Sequence, residues 1–407
     1  MPRVLWILFL IGCSGYIQAR PYPAGTGSAA AADSAATAGN NPAGLTRFDS
    51  RNSSFGVSGI FSDNTWKGQL GASGPTIESE DDEETIIPSG NLVLPLNDDW
   101  YFGFTILGFS LSEDFGDNWP GRYFMQDYEL IYVSAFPSLA YRVNDQWSVA
   151  ASAAVTYTSY EQTKAILNLE PGFGDGQLEI DADGFTAGFS VSALYEHSNR
   201  TRFGLVYKSE IDAELDGDAD FKNLSPSTEF VLDAAGLLGA SIDIDSRSPQ
   251  SINAGLYHEF ADAGAVTFDV AWIDFSRFTL SEIYVNGDQL NEGDIDYDDI
   301  WIFSASYTRP VSARLSLGIG AMYIDDMVSD DKRMLTLRLD DVWILGVGAE
   351  WQWTETRSLF AMLSYIQVGD APITTDPIAG IGSVTGKYDD RGSVLLQIGM
   401  NLGTGAR

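Results

Sequence analysis

From about residue 50 onward, apolar and polar positions alternate with a period of two. Trp147, Val149, Ala151, Ala153, Val155 and Tyr157 share one phase, and Ser148, Ala150, Ser152, Ala154, Thr156 and Thr158 share the other. Leu315, Leu317, Ile319, Ala321 and Tyr323 oppose Arg314, Ser316, Gly318, Gly320 and Met322 in the same way. Val394, Ile398 and Leu402 stand against Ser393, Gln397 and Asn401. Period two sends successive side chains to opposite faces of a strand. No later run reaches the ~18 apolar residues of a membrane helix. A soluble sandwich shows the same alternation, so the period alone leaves two all-β classes open.

Three features favour a membrane barrel. The polar phase is rich in Ser, Gly, Thr and Ala, as a crowded lumen needs. Aromatic residues gather near strand ends, at Trp100, Tyr101, Tyr141, Trp147, Trp301, Tyr307, Trp343, Trp351 and Tyr365, where interfacial girdles belong. Short turns near 97–99, 143–146, 198–201, 261–264, 310–312 and 354–356 alternate with long polar stretches over 63–87, 112–129, 164–180, 222–248, 282–297, 325–338 and 369–387. Outer-membrane barrels have short periplasmic turns and long outer loops, and this spacing predicts about fourteen antiparallel strands.

Composition narrows the function. The chain has 407 residues and a formal charge of −34, which excludes the basic footprint of a nucleic-acid binder. One Cys and two His exclude a disulfide scaffold and leave little for a metal site. Mean hydropathy is −0.06, too polar for a helical membrane bundle and compatible with a barrel.

Residues 1–19 read as a signal peptide, with Arg3, an apolar run Val4–Gly12 and a cleavage site after Ala19. The alternative is lipidation at Cys13. Residues 20–50 lack alternation: Ala24–Leu45 is small and weakly helical and ends on the turn signal Asn41-Pro42. The two readings are a linker and a plug packed inside the barrel, which occupies residues 51–407.

These residues carry a resemblance. Gly27–Leu45, with Ala32-Asp33 followed by Asn41-Pro42-Ala43, is similar to the N-terminal hatch of the FadL family of outer-membrane transporters of long-chain fatty acids and hydrocarbons. Pro95–Trp100, Trp119–Tyr123, Tyr207–Glu210 and Trp272–Phe278 resemble family patterns in the family's order. The resemblance covers nearly all the chain after residue 19. It implies a fourteen-stranded barrel with a hatch, outer loops that collect hydrophobic substrate, and lateral release at a kinked third strand. The chain departs from the family in its short stretch before the hatch core and in ending without a terminal aromatic residue.

Four stretches suggest where chemistry sits. In the third strand Phe102, Phe104 and Ile106 keep one phase, and Leu107, Phe109 and Leu111 take the other. A one-residue slip flips faces, so a kink eased by Gly103 and Gly108 is expected, with a wall gap lined by Phe102, Phe104, Leu107 and Phe109. The competing reading is two-sided packing against the plug. Asn41, Pro42 and Ala43 are expected beside that strand as gate residues, Asn41 satisfying backbone freed by the kink. The loop 222–248 carries Phe230, Val231, Leu237 and Leu238, read as a groove for first capture or as self-packing. Lys208 shares its phase with Glu210, Asp212, Glu214 and Asp216. If the apolar phase meets lipid, those acids face the lumen and Lys208 meets either a substrate carboxylate or one of the acids; inward acids favour a neutral hydrocarbon.

The acidic run Glu78–Glu84 is expected in the first outer loop, solvated or holding divalent cations against lipopolysaccharide phosphates. His197 and His258 sit by predicted periplasmic turns with no catalytic motif around them. The sequence therefore points to a monomeric outer-membrane barrel that takes up hydrophobic compounds, with no cofactor, metal or nucleic acid. The rival readings are a barrel enzyme acting on lipids and a water-filled porin.

Overall fold

The structure is a computed structural model. It describes residues 21–407 except 72–73, 117–118, 278, 286–287, 290–296, 330–339, 370, 376, 378–381, 405 and 407. Residues 1–19, read above as a signal peptide, lie outside the described residues together with Cys13, as do Phe278 and parts of the outer stretches 282–297, 325–338 and 369–387.

The described strands are β1 (Asn52–Leu70), β2 (Ile77–Pro95), β3 (Trp100–Asp114), β4 (Asp127–Arg142), β5 (Trp147–Ile166) and β6 (Gly176–Ser198). β7 runs over Thr201–Lys208 and Ile211–Lys222, β8 over Ser241–Ser248 and Ser251–Glu259, and β9 over Ala265–Ile273 and Thr279–Val285. β10 (Asp288–Gln289 and Ile300–Pro310), β11 (Leu315–Ile324), β12 (Val342–Thr354), β13 (Arg357–Val368 and Ala371–Thr374) and β14 (Val384–Leu402) complete the set. Neighbours in sequence pair antiparallel, and β14 returns to β1 from Ser53↔Leu402 to Leu70↔Val384. The result is a closed barrel of fourteen strands. Closure satisfies every edge, which a membrane requires because lipid offers no hydrogen-bond partner.

The short turns follow from local chemistry. The amides of Leu96, Val143 and Val311 donate to the carbonyls of Trp100, Trp147 and Leu315, at 2.9, 2.9 and 2.8 Å. Asn97 Oδ1 accepts the Asp99 and Trp100 amides, Asn144 Oδ1 those of Gln146 and Trp147, and Ser312 Oγ those of Arg314 and Leu315. A short polar side chain thus closes each turn two and three residues on. Trp100 then packs on Tyr141 (4.8 Å between ring centroids) and Trp147 on Tyr195 (4.7 Å), forming part of the periplasmic girdle.

Several long polar stretches are strand rather than loop. β1 and β2 pair as far as Gly68↔Ile77, so only residues 71–76 connect them. The acidic run beginning at Glu78 therefore lies in β2, not in a loop, and Glu78 pairs with Lys67 across the hairpin at 3.3 Å. The side chains of residues 79–84 lie outside the described ones. Polar alternation does not stop a ladder in water, so the wall continues above the bilayer.

Pro21–Phe48 contains two 3-10 turns (Pro23–Gly25 and Pro42–Arg47) and a short helix, α1 (Thr37–Asn40). It is almost wholly buried, and its contacts run from β2–β6 round to β10–β13. A second helix, α2 (Pro226–Ala234), stands in the β7–β8 connection, where the Ser225 hydroxyl accepts the Thr228 amide as its N-cap.

Candidate functional site

The inner wall is built in three levels. The lowest is polar and holds Pro21–Phe48. Asp269 on β9 accepts the Gly27 and Ala29 amides at 2.7 and 3.0 Å. Arg202 on β7 donates to the Ala30 and Ala31 carbonyls and lies 3.7 Å over the Tyr257 ring. Arg47 pairs with Glu196, Arg142 donates to the Thr46 carbonyl, and Asn253 donates to Ser28 Oγ at 2.7 Å. A segment this poor in bulky side chains has little apolar surface of its own, so charge-assisted bonds to its backbone fix it.

Glycines let its backbone touch the wall. A Cβ on Gly204 would lie 1.8 Å from the Ala29 carbonyl oxygen, and one on Gly318 would lie 1.8 Å from that of Pro21. Gly318↔Gly348 and Gly320↔Gly346 are cross-strand pairs under Pro21 and Pro23.

The middle level is aliphatic. Ile60, Ile87, Ile300, Ile302, Ile344 and Ile366 belong to one buried cluster contributed by strands from β9 round to β2. The upper level is partly aromatic. Trp119, from the β3–β4 connection, meets Trp66 edge-on at 5.8 Å and stacks on Phe115 at 4.5 Å, while its indole donates to the Met125 carbonyl. Beside it Leu178, Ile180, Leu215, Ala219, Ile242 and Ile244 line the inside of β6–β8.

The third strand departs from expectation. β3 is unbroken, and it pairs with β4 in constant register from Trp100↔Tyr141 to Asp114↔Asp127. On the β2 side the pairs between Ser89↔Leu107 and Ile86↔Ser110 lapse with no change of register, and the ladder ends at Ile86↔Ser110 although both strands run on. Pro88 stands opposite Gly108 there, and proline has no amide to donate. Phe102, Phe104 and Ile106 face outward, whereas Leu107 and Phe109 pack on the aliphatic interior. The four residues therefore do not share one face: the strand is apolar on both sides, and its pairing with β2 breaks beside Gly108. Gly103 makes room for Leu45 and Ala38 rather than for a kink, and Gly108 faces Pro88.

The hydrogen bonds of Asn41 and Ala43 to the wall go to β6, and none goes to β3 among the described residues. Asn41 Nδ2 donates to the Ala29 carbonyl at 2.6 Å and to that of Ala193 at 3.2 Å, and the Ala43 amide donates to Asn41 Oδ1 and Ser192 Oγ. Asn41 thus ties the segment to itself and to β6.

The acids of β7 also face the other way. Leu215 and Ala219 are buried at 5% and 6% exposure, while Asp212, Glu214, Asp216 and Asp218 are exposed. Above the bilayer the outside is water, so the apolar phase turns inward. Arg247 meets Asp212 at 2.6 Å and Glu210 at 3.6 Å on that outer face. The acids leave no argument for a neutral substrate. Lys208 lies in register with Ser190 and Ser251. Sequence reading missed Lys164, although extending the polar phase of β5 from Thr158 places it inside; it is half-buried opposite Leu178.

The outer connections form one platform. Asn168 donates to the Gly174 and Asn223 carbonyls and accepts the Ser225 amide, and Thr228 Oγ1 accepts the Leu169 amide. Arg122 and Tyr123 both hold Asp175 at 2.9 Å; burial, then the bond to Asp175, raises the Tyr123 phenol above its ordinary pKa. Phe230 (71% exposed) and Val231 (50%) project from the platform with Leu169 and Phe173. Leu237 packs beneath, on the Leu215 cluster, and Leu238 lines a cavity of about 350 Å³ with Phe221 and Leu224. The four apolar residues of this loop therefore divide between surface and interior.

His258 Nδ1 and Thr201 Oγ1 are 2.9 Å apart, and His197 lies near the Tyr195 ring, both at the periplasmic end.

Known proteins share this architecture. The chain is 24% identical over 402 residues to the long-chain fatty acid transport protein of Escherichia coli O6:H1, covering 91% of this chain and 89% of the relative. The crystal structure of a Pseudomonas aeruginosa FadL homologue superimposes with a TM-score of 0.84 at 20% identity, over 96% of this chain and 100% of the other. The Pseudomonas putida toluene transporter TodX gives 0.68 at 15% identity, over 96% and 99%. Residues 20–401 match the model of the family described as outer membrane protein transport protein (OMPP1/FadL/TodX), and this outer-membrane barrel belongs to that family.

Proposed function

We propose that this protein passively admits hydrophobic compounds, fatty acids or hydrocarbons, across the outer membrane as a monomer. The observation that carries the reading is the aliphatic middle level. Ile60, Ile302 and Ile344 occupy the place where a water-filled pore would carry polar side chains. Water is a poor medium for such solutes, at ~0.8 kcal/mol per CH₂, so an apolar interior is a path of low cost. The relatives point the same way, one being named for long-chain fatty acids and another for toluene.

In this reading the platform bearing Phe230, Val231 and Phe173 captures the solute first, because exposed apolar patches of this kind bind something. The solute passes through the aliphatic level. Pro21–Phe48 acts as a hatch beneath it, so release is lateral, through the wall into the bilayer. Catalysis is not part of this reading: Thr201 is the one residue in hydrogen-bond contact with His258 among the described residues, and no carboxylate orients that ring.

The test uses cells lacking their own transporter. Expression of this protein should confer saturable uptake of labelled palmitate, hexadecane or toluene, and the purified protein should give no large steady conductance in a planar bilayer. Steady ohmic conductance with no uptake of any of the three would make it a porin. Phe230→Ser with Val231→Ser should raise the half-saturating concentration and leave assembly, judged by heat-modifiable gel mobility, intact.

A further inference from the structure

The aliphatic level is packed shut. Among the described residues, Ile300, Ile302, Ile344, Ile366, Met327 and Val328 are each exposed by no more than 2%. A solute that crosses this level must push a side chain aside, and these side chains differ in what holds them. Most stand on the wall. Ile302, Met322 and Ile344 belong to three consecutive strands, laddered through Ser304↔Met322 and Met322↔Ile344. A side chain on a laddered strand can change only its own rotamer. One on a connection can also move with its backbone, because connections open at lower free energy than ladders.

Met327 and Val328 stand on a connection. β11 ends at Ile324, and β12 begins only at Val342. Within β11 the burial alternates: Met322 and Ile324 face the lumen, while Tyr323 turns outward beside the exposed Trp343. At Met327 and Val328 two successive residues are buried. Period two does not allow that on a wall with one outward face, so the chain has turned in over the lumen. Asp325 Oδ1 accepts the Asp326 amide and Asp326 Oδ1 the Val328 amide, both at 3.2 Å. These bonds are local and travel with the segment. The Asp298 amide, between the two pieces of β10, donates to the Met327 carbonyl at 2.9 Å and steadies it from one side. Ser329, the next residue, is exposed. Water thus lies above this turn and the aliphatic level beneath it.

Phe275 and Tyr297 join the same cluster and meet edge-on at 5.5 Å. Phe275 is pinned on both sides, since Asp274 accepts from Gln250 and the Ser276 amide donates to Asp299. Methionine is the better moving part. It is unbranched, with three rotatable bonds, and repacks around partners of different shape. An alkyl chain or a ring replaces the apolar contacts that Met327 gives up. Water and sugars do not, so the same displacement is unfavourable for them.

We infer that Met327 is the gate residue on the outer side: a hydrophobic solute enters the aliphatic level by displacing the Met327 side chain from the isoleucine cluster. The inference rests on the uptake proposed above and adds its point of entry. It is independent of where the solute leaves the barrel.

Two matched substitutions decide it. Met327→Ile and Met322→Ile make the same change in the same buried cluster, one on the connection and one on a wall strand. Volume is nearly conserved, so assembly should hold in both, but a β-branched side chain is stiff. Initial uptake of hexadecane and palmitate is measured in cells lacking their own transporter, beside the thermal midpoint read by heat-modifiable gel mobility. Met327→Ile should cut uptake of both compounds roughly tenfold at an unchanged midpoint, because gating steps set such rates. Met322→Ile should leave uptake unchanged. Met327→Ala shortens the gate and should raise the initial rate, most for a rigid solute such as pyrene. Equal uptake in the two isoleucine variants overturns the inference, as does uptake that only follows the midpoint through all three variants, which would make Met327 a packing residue. In either case saturable uptake by the wild type leaves the proposed function standing. No uptake by the wild type removes both.

Discussion

The carbonyl oxygen of Ala29 lies 1.8 Å from the point where a side chain on Gly204 would begin. The N-terminal segment and β7 are therefore in backbone contact, and the glycine is a requirement of packing, not of strand geometry. Gly204→Val should displace the segment around Ala29. Overpacking of this kind costs about 1–3 kcal/mol. The thermal midpoint, read by heat-modifiable gel mobility, should fall, and conductance to small hydrophilic solutes should rise. Gly174→Val, at a glycine with nothing within 4 Å, should change neither. Equal behaviour of the two variants would mean that the segment is not held there.

Asp269 tests the polar side of the same attachment. It accepts two buried amides of the segment, from Gly27 and Ala29. Asp269→Ala leaves both unsatisfied, at a cost of about 2–5 kcal/mol. The segment should become sensitive to an added protease that leaves the barrel intact. Asp269→Asn retains one acceptor oxygen and should lie between the wild type and the alanine variant.

Gly103 and Gly108 should separate cleanly. A side chain at Gly103 would meet Ser138 Oγ at 2.3 Å and Leu45 Cδ1 at 2.8 Å, whereas one at Gly108 meets Pro88 Cγ at 3.2 Å. Gly103→Val should lower stability by loosening the segment. Gly108→Val should be milder, and uptake should persist in it. A loss of uptake in Gly108→Val with assembly preserved would place the exit at the third strand.

Lys164 has no hydrogen bond or ion pair among the described residues. A half-buried ammonium without a partner is costly, so Lys164→Met should leave the thermal midpoint unchanged or raise it. A carboxylate substrate passing that point would gain a charge-assisted bond worth about 1.5–3 kcal/mol. Palmitate uptake should then fall roughly tenfold or more in Lys164→Met while uptake of methyl palmitate holds. Parallel behaviour of acid and ester would remove Lys164 from recognition.

The fold was legible because local rules are enough for it. Period two gives strands. Asn97, Asn144 and Ser312 close turns through their own side chains, and girdle aromatics follow directly at Trp100 and Trp147. A segment of small residues before the first strand was legible too, since it cannot form a core alone. These are relations between residues a few positions apart.

Which face is inside was not legible along the whole strand, because the sequence carries the phase and not the height of the bilayer. Below the outer surface the exterior is lipid and apolar side chains face out; above it the exterior is water and they face in. A strand crossing that level must exchange its apolar phase. β6 does so in its sequence, from Phe185, Phe189 and Val191 outside to Leu178, Ile180 and Ala182 inside, with its β5 ladder unbroken. β3 does the same at Ile106 and Leu107, so the inversion that suggests a kink is what keeps the strand straight. β7 keeps one apolar phase throughout, from Phe203 and Leu205 to Leu215, and the chain must slip instead. The extra residue between Lys208 and Asp216 is that slip. Only the tertiary structure decides it, because a slip is a relation between β6 and β7, and neither strand's sequence contains the register of the other.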